Sequence, residues 1–348
     1  MSKKKKVFVG MSGGVDSSVT VALLKERDFD VVGVHLKCYN VDGCAEQDAE
    51  DARRAAETLN IPFYVFDMED EYKEKVVEYM VEGYKEGITP NPDVMCNKEI
   101  KFGIFLEKAL EMGADYVATG HYVRLKKVGR KYKLFVGKDK NKDQSYFLWT
   151  LIQKQLKHSL FPIGDLEKPK VRKLAKKYKL PNAEKKDSQG ICFLGKVSLK
   201  EFLKDYIKEK PGKVLDISGK VVGEHKGAHF YTIGQRGGLG IGGYKNPQYI
   251  AKKDVKKNII VIAEEGDEIL SRKEIDVVGV NWIVEKPAIK NLKVLMRVRY
   301  RQPLFSATIK IGKKLKVIFD KKQKFIASGQ SAVFYTKKGE MLGGGTIL

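Results

Sequence analysis

The sequence predicts an α/β N-terminal domain on a parallel sheet, then a small β-rich central unit, then a C-terminal run of short strands forming a barrel or a sandwich. Three observations carry this. Strand and helix patterns alternate through the first third of the chain, which is the signature of parallel α/β structure. After Phe202 the pattern changes to short strands between glycine-rich turns, and from about Asp276 short apolar runs follow one another to the end. At 348 residues the chain also exceeds what one hydrophobic core usually spans, and its 43% hydrophobic content is enough for more than one.

Taken in order, Val7 to Gly10 is an apolar strand, Val19 to Lys25 is helical, Val31 to Leu36 is apolar, Ala45 to Leu59 is helical, and Phe63 to Phe66 is apolar. A charged amphipathic helix is expected from Glu71 to Glu86. A Pro/Asn loop then runs from Thr89 to Asn97, with a helix near Ile104 to Met112 and a strand at Tyr116 to Thr119. Two alternating runs between Val123 and Val136 flank Gly129 as a hairpin, and Leu166 to Tyr178 reads as a helix stopped by Pro181. Lys213 to Val222 and His229 to Gly243 read as short strands with glycine turns. The last third offers Val277 to Val280, Val294 to Arg299, Ser306 to Ile311, Lys314 to Phe319 and Ser331 to Tyr335. The divisions fall at 1–200, 201–273 and 274–348.

The charge balance, 66 Lys+Arg against 44 Asp+Glu, leaves +22, a field suited to a polyanion such as nucleic acid and equally compatible with a Lys-rich solvated surface. No run of about 18 apolar residues occurs, so no membrane span is expected. The basic start, Met1 to Lys6, leaves no room for a signal peptide's apolar region, so a cytoplasmic location is expected. Four cysteines, at 38, 44, 96 and 192, are too few and too scattered for a disulfide scaffold. Cys38 and Cys44 lack the short paired spacing of a zinc site and read as structural thiols; no metal ligand set is predicted.

The strand Val7 to Gly10 runs directly into Met11-Ser12-Gly13-Gly14-Val15-Asp16-Ser17-Ser18, and a helix follows at once. Glycines there let backbone N–H groups approach phosphate oxygens, and the helix N-terminus adds its positive dipole end. The string is neither a Walker loop nor a Rossmann GxGxxG. It resembles the SGGxDS pyrophosphate loop of the N-type ATP pyrophosphatases, which split ATP into AMP and pyrophosphate while adenylating a carbonyl oxygen.

Cys96 lies beside Asp93, Lys98 and Lys101 in a loop stiffened by Pro90 and Pro92, just before a helix; Cys192 follows Lys185, Lys186 and Asp187. Helix N-termini and lysines lower a thiol pKa, which would make either cysteine a nucleophile, and Asp93 could act as acid or base. Taken singly, a cysteine is more often a buried small residue.

The strings GMSGGVDSSV, TPNPDVMCNKEIKFG, ATGHYVR, KDQSYFL, KDSQGICF, TIGQRGGLGIGG, RYRQ and GQSAVFY occur in this order along nearly the whole chain. With them the sequence resembles the bacterial and mitochondrial tRNA-specific 2-thiouridylases. That resemblance implies an adenine nucleotide alpha hydrolase-like pyrophosphatase domain, a small central domain and a C-terminal β-barrel that helps hold tRNA. It implies ATP contacts by Gly10, Met11, Ser12, Gly13, Gly14, Val15, Asp16 and Ser17, with Leu36 and Gly120 lining the adenine or ribose region. It further implies contacts with the target base by Asn91, Pro92 and Asp93, while His121, Lys142, Asp143, Gln144, Arg299, Tyr300 and Gln330 meet tRNA or flank the site.

The expected chemistry is adenylation of the C2 oxygen of a uridine, with Mg²⁺ and the loop neutralising pyrophosphate. A persulfide on Cys192 then delivers sulfur, and Cys96 cleaves the S–S bond. The wobble uridine of Lys, Glu and Gln tRNAs is the expected target, an upstream sulfur donor or carrier protein the expected partner, and a monomer the expected state. An iron–sulfur cluster on Cys96, Cys192 and one further ligand is an alternative route for the sulfur. A ligase or amidotransferase of the same ATP-splitting superfamily, or an RNA-binding module without catalysis, are the rival functions. Arg297, Arg299 and Arg301 alternate in the sequence, as residues facing one side of a strand would, and so suit a phosphate backbone. Gly234 to Gly243 carry no chemical signal of their own.

Overall fold

The computed structural model describes residues 4–39, 43–187, 194, 197–312 and 314–348. Cys192 therefore lies outside the described residues, as does the side chain of Cys44. The first third contains strands β1 (Lys6–Gly10), β2 (Asp30–Lys37), β3 (Phe63–Asp67), β4 (Tyr116–Ala118), the hairpin β5 (Val123–Val128) and β6 (Lys131–Val136), and the short β7 (Ser159–Leu160). Five of them form a parallel sheet in the order β3-β2-β1-β4-β7. Val7, Phe8 and Val9 of β1 are all buried, because a central parallel strand is covered by helices on both faces.

Strand order reverses at β1, with β2 on one side and β4 on the other. The crevice beyond the carboxyl end of β1 is thus the switch point where such sheets bind ligands. The loop Met11 to Gly14 and the helix Val15–Glu26 lie there. β3 is less covered than its apolar sequence suggests: it is an edge strand, with Tyr64 48% and Val65 51% exposed.

The helical run 69–85 contains a wide-turn segment, Lys73–Glu78. A second helical run begins at Pro92, earlier than expected, and widens into a π-helix over Cys96–Ile104 before Phe105–Glu111. Asn91 is the reason for the early start, since its side-chain oxygen accepts the Val94 amide at 3.2 Å and Pro92 fits the first helical turn.

The central sheet contains β8 (Gly212–Leu215), β9 (Val221–His225), β10 (Gln248–Asp254) and β11 (Ile259–Glu264), ordered β10-β11-β8-β9. The expected strand character of His229 to Gly243 is not found. Gly234, Gly238, Gly240 and Gly243 have φ of 81°, 74°, 65° and 83°, which no pleated ladder accommodates.

The C-terminal strands β12 (Ser271–Trp282), β13 (Asn291–Arg297), β14 (Phe305–Ile311), β15 (Leu315–Lys324), β16 (Ser331–Tyr335) and β17 (Met341–Ile347) close into a barrel, because β12 pairs with both β15 and β17. Closure decides between barrel and sandwich and removes the free sheet edges. Val277, Met296, Val317, Phe319 and Phe334 are part of its core.

The barrel docks on the segment after the hairpin. The Trp149 indole N–H donates to Ser331 Oγ at 2.9 Å, and Asn281 Nδ2 donates to the carbonyls of Trp149 and Leu151 at 2.7 and 3.0 Å. A Cβ on Gly344 would meet Trp149 Cγ at 2.8 Å, so only glycine lets the indole lie on β17.

Candidate functional site

The loop after β1 is held from several sides. The Met11 amide donates to Val34 O at 2.7 Å, the Ser12 amide to Ser17 Oγ at 3.3 Å, and Ser17 Oγ and Ser18 Oγ each donate to Gly14 O at 3.1 Å. Gly13 has φ 71°, and a Cβ there would meet Asp48 O at 2.3 Å. Gly14 is the N-cap and offers no side-chain cap, which leaves the helix's first N–H groups for an anion. Gly120 packs against this terminus so closely that a Cβ would meet Ser17 N at 2.8 Å. Gly10 and Leu36 lie at the carboxyl ends of β1 and β2, half-buried. The expected nucleotide residues from Gly10 to Ser17 and Gly120 are thus brought together.

Several groups that the sequence reading did not single out lock this loop. Asn182 Nδ2 donates to Gly13 O at 2.8 Å and to Ser18 Oγ at 3.0 Å. Lys168 Nζ donates to both oxygens of Asp16 at 2.8 Å, and the Tyr122 hydroxyl donates to Asp16 Oδ1 at 2.7 Å. Asp16 therefore anchors the loop as well as bordering it. Burial and the Asp16 carboxylate push the Tyr122 phenol up, which keeps it a donor. Lys168 also meets Asp187 at 2.7 Å, and Asp187 takes Arg172 at 3.0 Å and Lys142 as well. Burial alone would raise the Asp187 carboxyl, but hydrogen bonds and charge from Lys142 and Lys168 outweigh it and set it to about 2. A chain of ion pairs thus runs from Asp16 through Lys168 to Asp187, the last described residue before the segment holding Cys192. Lys168 and Asn182 carry no local motif and are separated from the loop by more than 150 residues, so spacing could not have revealed them.

Cys96 is in the helical run 92–111, one turn beyond its N-terminus, and is 3% exposed. This corrects the expected loop position. Burial pushes its thiol up, and Lys101 together with a hydrogen bond to Tyr72 opposes that only in part, so the net shift is upward where the flanking lysines predicted a lowered value. Lys98 pairs with Glu99 at 2.7 Å. Cys38, at the end of β2, is close enough for the two thiols' charges to act on one another, and burial pushes it up also. Asp93 is half-buried, whereas Asn91 and Pro92 are buried, and Asn91 caps the helix.

Of the residues expected at tRNA, His121 is buried, with Nδ1 2.7 Å from Thr119 Oγ1 and its ring beside Phe102 and Phe161. Burial holds it well below the usual histidine range, hence neutral. The side-chain oxygen of Gln144 accepts the Tyr122 amide at 3.1 Å.

Asp143 is turned inward, contrary to the expected tRNA contact. It is 3% exposed and takes the Gly137 and Ser145 amides, Ser145 Oγ, and Arg297 Nη2 at 3.0 Å. The expected row of three arginines is corrected too: β13 ends at Arg297, which is buried over the Tyr335 ring, while Arg299 and Arg301 lie exposed in the following turn.

Arg299, Tyr300, Arg301, Gln302, Lys322, Lys324 and Phe325 line a recess of about 450 Å³, and Arg301 joins a second one with Lys140 and Lys142. Gln330 is directed at the N-terminal domain: its Nε2 donates to the carbonyls of Thr89 and Pro90 at 3.0 and 3.2 Å. The barrel thereby grips the segment leading to Asn91, Asp93 and Cys96.

Models of three domains match in succession: the tRNA methyl transferase HUP domain over residues 5–196, the tRNA methyl transferase PRC-barrel domain over 200–264, and an aminomethyltransferase β-barrel domain over 272–347. A tRNA-specific 2-thiouridylase MnmA of Bacillus pumilus is 46% identical over 353 residues, spanning 98% of this chain and 94% of the relative. Its counterpart in Geobacillus thermodenitrificans is 45% identical, with the same shares covered. That of Streptococcus sanguinis is 45% identical over 99% of this chain and 96% of its own length. With such identity over nearly the whole length of the chain, and with the loop, helix and barrel just described, the chain belongs to the tRNA-specific 2-thiouridylase family.

Proposed function

We propose that the protein is a tRNA-uridine 2-sulfurtransferase that spends ATP to exchange the C2 oxygen of a uridine for sulfur, at the wobble position of Lys, Glu and Gln tRNAs. The observation that carries this reading is the ion-pair chain from Asp16 through Lys168 to Asp187, which ties the phosphate loop to the segment that continues into Cys192.

Uridine O2 is a poor leaving group, and adenylation turns it into AMP. The uncapped N–H groups at Gly14 and Val15 would stabilise the departing pyrophosphate, an electrostatic task for preorganised donors. Among the described residues no group of three or more His, Cys, Asp or Glu could hold a metal ion, so Mg²⁺ would be carried mainly by the phosphates.

A persulfide on Cys192, loaded by an upstream donor protein, attacks C2 through its terminal sulfur, and AMP leaves with the C2–O electron pair. The Cys96 thiolate then attacks the Cys192 sulfur of the C2–S–S–Cys linkage, which frees the thiolated base and leaves a Cys96–Cys192 disulfide for an external thiol to reduce. Asp93, half-buried one turn before Cys96, takes and returns the protons. No helix among the described residues is long and apolar enough to cross a membrane.

The HUP and PRC-barrel domain families that match this chain are named for tRNA methyl transfer, and one experiment separates the two chemistries. The full-length protein is incubated with tRNA, ATP, Mg²⁺ and a persulfide donor, and the nucleosides are weighed by mass spectrometry. An oxygen-to-sulfur mass gain on uridine, dependent on ATP and lost in Cys96→Ser and Cys192→Ser, is expected. A methyl mass gain, or full turnover by either serine variant, overturns the mechanism.

A further inference from the structure

The segment Gly234 to Gly243 has no part in the chemistry above, yet its glycines are more numerous than its own conformation requires. Gly234, Gly238, Gly240 and Gly243 need their positive φ, and Gly234 also lies against the barrel, where a Cβ would meet Phe325 Cβ at 2.4 Å. Gly237 and Gly242 meet neither need. Their φ values are outside the left-handed region, and nothing in the protein lies within 4 Å of where their Cβ would be. Glycine at such positions lowers stability without helping the fold, and a glycine in ordered backbone often marks where another backbone or a ligand comes close.

The loop is also built rather than slack. Leu239 is 5% exposed in the core, Ile241 packs on Gly223, and the Gln235 side chain accepts the Thr232 amide and donates to Gly237 O at 2.8 Å. Between these anchors Arg236, Gly237, Gly238, Gly240 and Gly242 through Asn246 face solvent, including Tyr244, which is 40% exposed.

We infer that this glycine-rich loop is a binding surface for the sugar–phosphate backbone of the RNA substrate, with Arg236 and Lys245 as charge partners and Tyr244 as a platform for a base or ribose. Its neighbour supports that class of ligand. Phe325, which packs on Gly234, also lines the basic recess formed by Arg299, Arg301, Lys322 and Lys324, so the Gly234 end of the loop adjoins a cationic surface, while at the other end Asn246 donates to Glu264. Bare backbone N–H groups and arginine suit phosphates, and an exposed tyrosine suits stacking on a base.

The inference rests on tRNA being the substrate. Failure of that reading would appear in the unaltered protein, which would neither bind nor thiolate tRNA. Gly237→Val and Gly242→Val in the full chain place a branched side chain in open space, so their melting temperatures stay at the parent value. Binding of a tRNA transcript, followed by fluorescence anisotropy, weakens by roughly tenfold or more, as expected when close backbone approach is blocked. Arg236→Ala and Lys245→Ala test the charges without altering the glycines. Each lowers the slope of log affinity against log salt by about one, while Lys257→Ala, at the far end of the β10–β11 hairpin, affects affinity less. Transcript affinities of both valine variants within about twofold of the parent, together with unchanged salt slopes in the alanine variants, overturn the inference. So does intact tRNA binding with loss of sulfur uptake from a protein donor, since the loop would then serve that donor.

Discussion

Lys142 and Asp143 are neighbours in the chain that fasten two different parts of the molecule by different physics. Lys142 joins Asp187 in a network that water partly reaches, with side-chain exposures of 25% and 23%, and Asp187 shares its charge with Lys168 and Arg172 as well. Asp143 and Arg297 are 2% and 8% exposed and form a single pair, with Arg297 Nε left without a hydrogen bond. A shared, half-solvated network tolerates loss of one member. A buried pair does not, because removing either partner strands a charge where water cannot reach it. The phosphate-loop side therefore suits a site that takes up and releases ligands, and the barrel side suits a joint that stays closed.

The largest effect should come from the closed joint. Asp143→Ala strands Arg297 and is expected to destabilise the protein by about 3–5 kcal/mol, read from urea unfolding. The amides of Ser145 and Gly137, which donate to Asp143, should lose hydrogen-exchange protection. A double change, Asp143→Asn with Arg297→Met, should recover most of that loss, since the amide oxygen still accepts from Gly137 and Ser145 and no charge is left buried. If Asp143→Ala instead left stability intact and weakened only tRNA binding, Asp143 would be an RNA contact and the contrast between the two joints would collapse.

Next comes the open network. Lys168→Met leaves Asp16 and Asp187 facing each other without their shared cation. Hydrogen bonds to charged groups contribute about 1.5–3 kcal/mol, so kcat/KM for ATP should fall by roughly 10- to 100-fold. Lys142→Ala, which removes only one of three cations around Asp187, should lower it by a few-fold. Equal losses in the two variants would show that the network is not shared as described.

The contrast also explains what could be read from the sequence. The phosphate loop was legible because strand, glycines and helix start are contiguous from Val7 to Ser18, and local chemistry dictates local structure there. The repeated short strands announced a β-rich C-terminus, but only the pairing of β12 with both β15 and β17 made it a barrel. Lys168, Asn182 and the pairing of Asp143 with Arg297 were not legible, because each joins residues more than 150 positions apart. The arginine row failed for a local reason. Alternation holds only while the strand lasts, and β13 ends at Arg297, where the chain turns with the Gln302 amide donating to Arg299 O and with Arg301 at φ 61°. Cys96 failed because flanking lysines say nothing about burial, and burial is the larger influence on its thiol.

The smallest expected effect tests the network through pH. In the folded protein Asp187 titrates at about 2, below the value of about 3.9 expected in an unfolded chain. A carboxyl depressed by folding stabilises the native state wherever it is ionised in both states. That contribution is complete above the unfolded value and declines as the pH falls through the folded one. The parent should therefore melt higher than Asp187→Asn by a constant margin from pH 7 to about pH 5. The margin should narrow below pH 4 and disappear only below pH 2, where the carboxyl is protonated in both states. Because Asp187 is partly solvated and its cations are shared, the margin should be modest and should shrink in high salt. A margin undiminished at pH 2, or one indifferent to salt, would mean that Asp187 acts through packing rather than charge, and the two joints would then differ in exposure but not in kind.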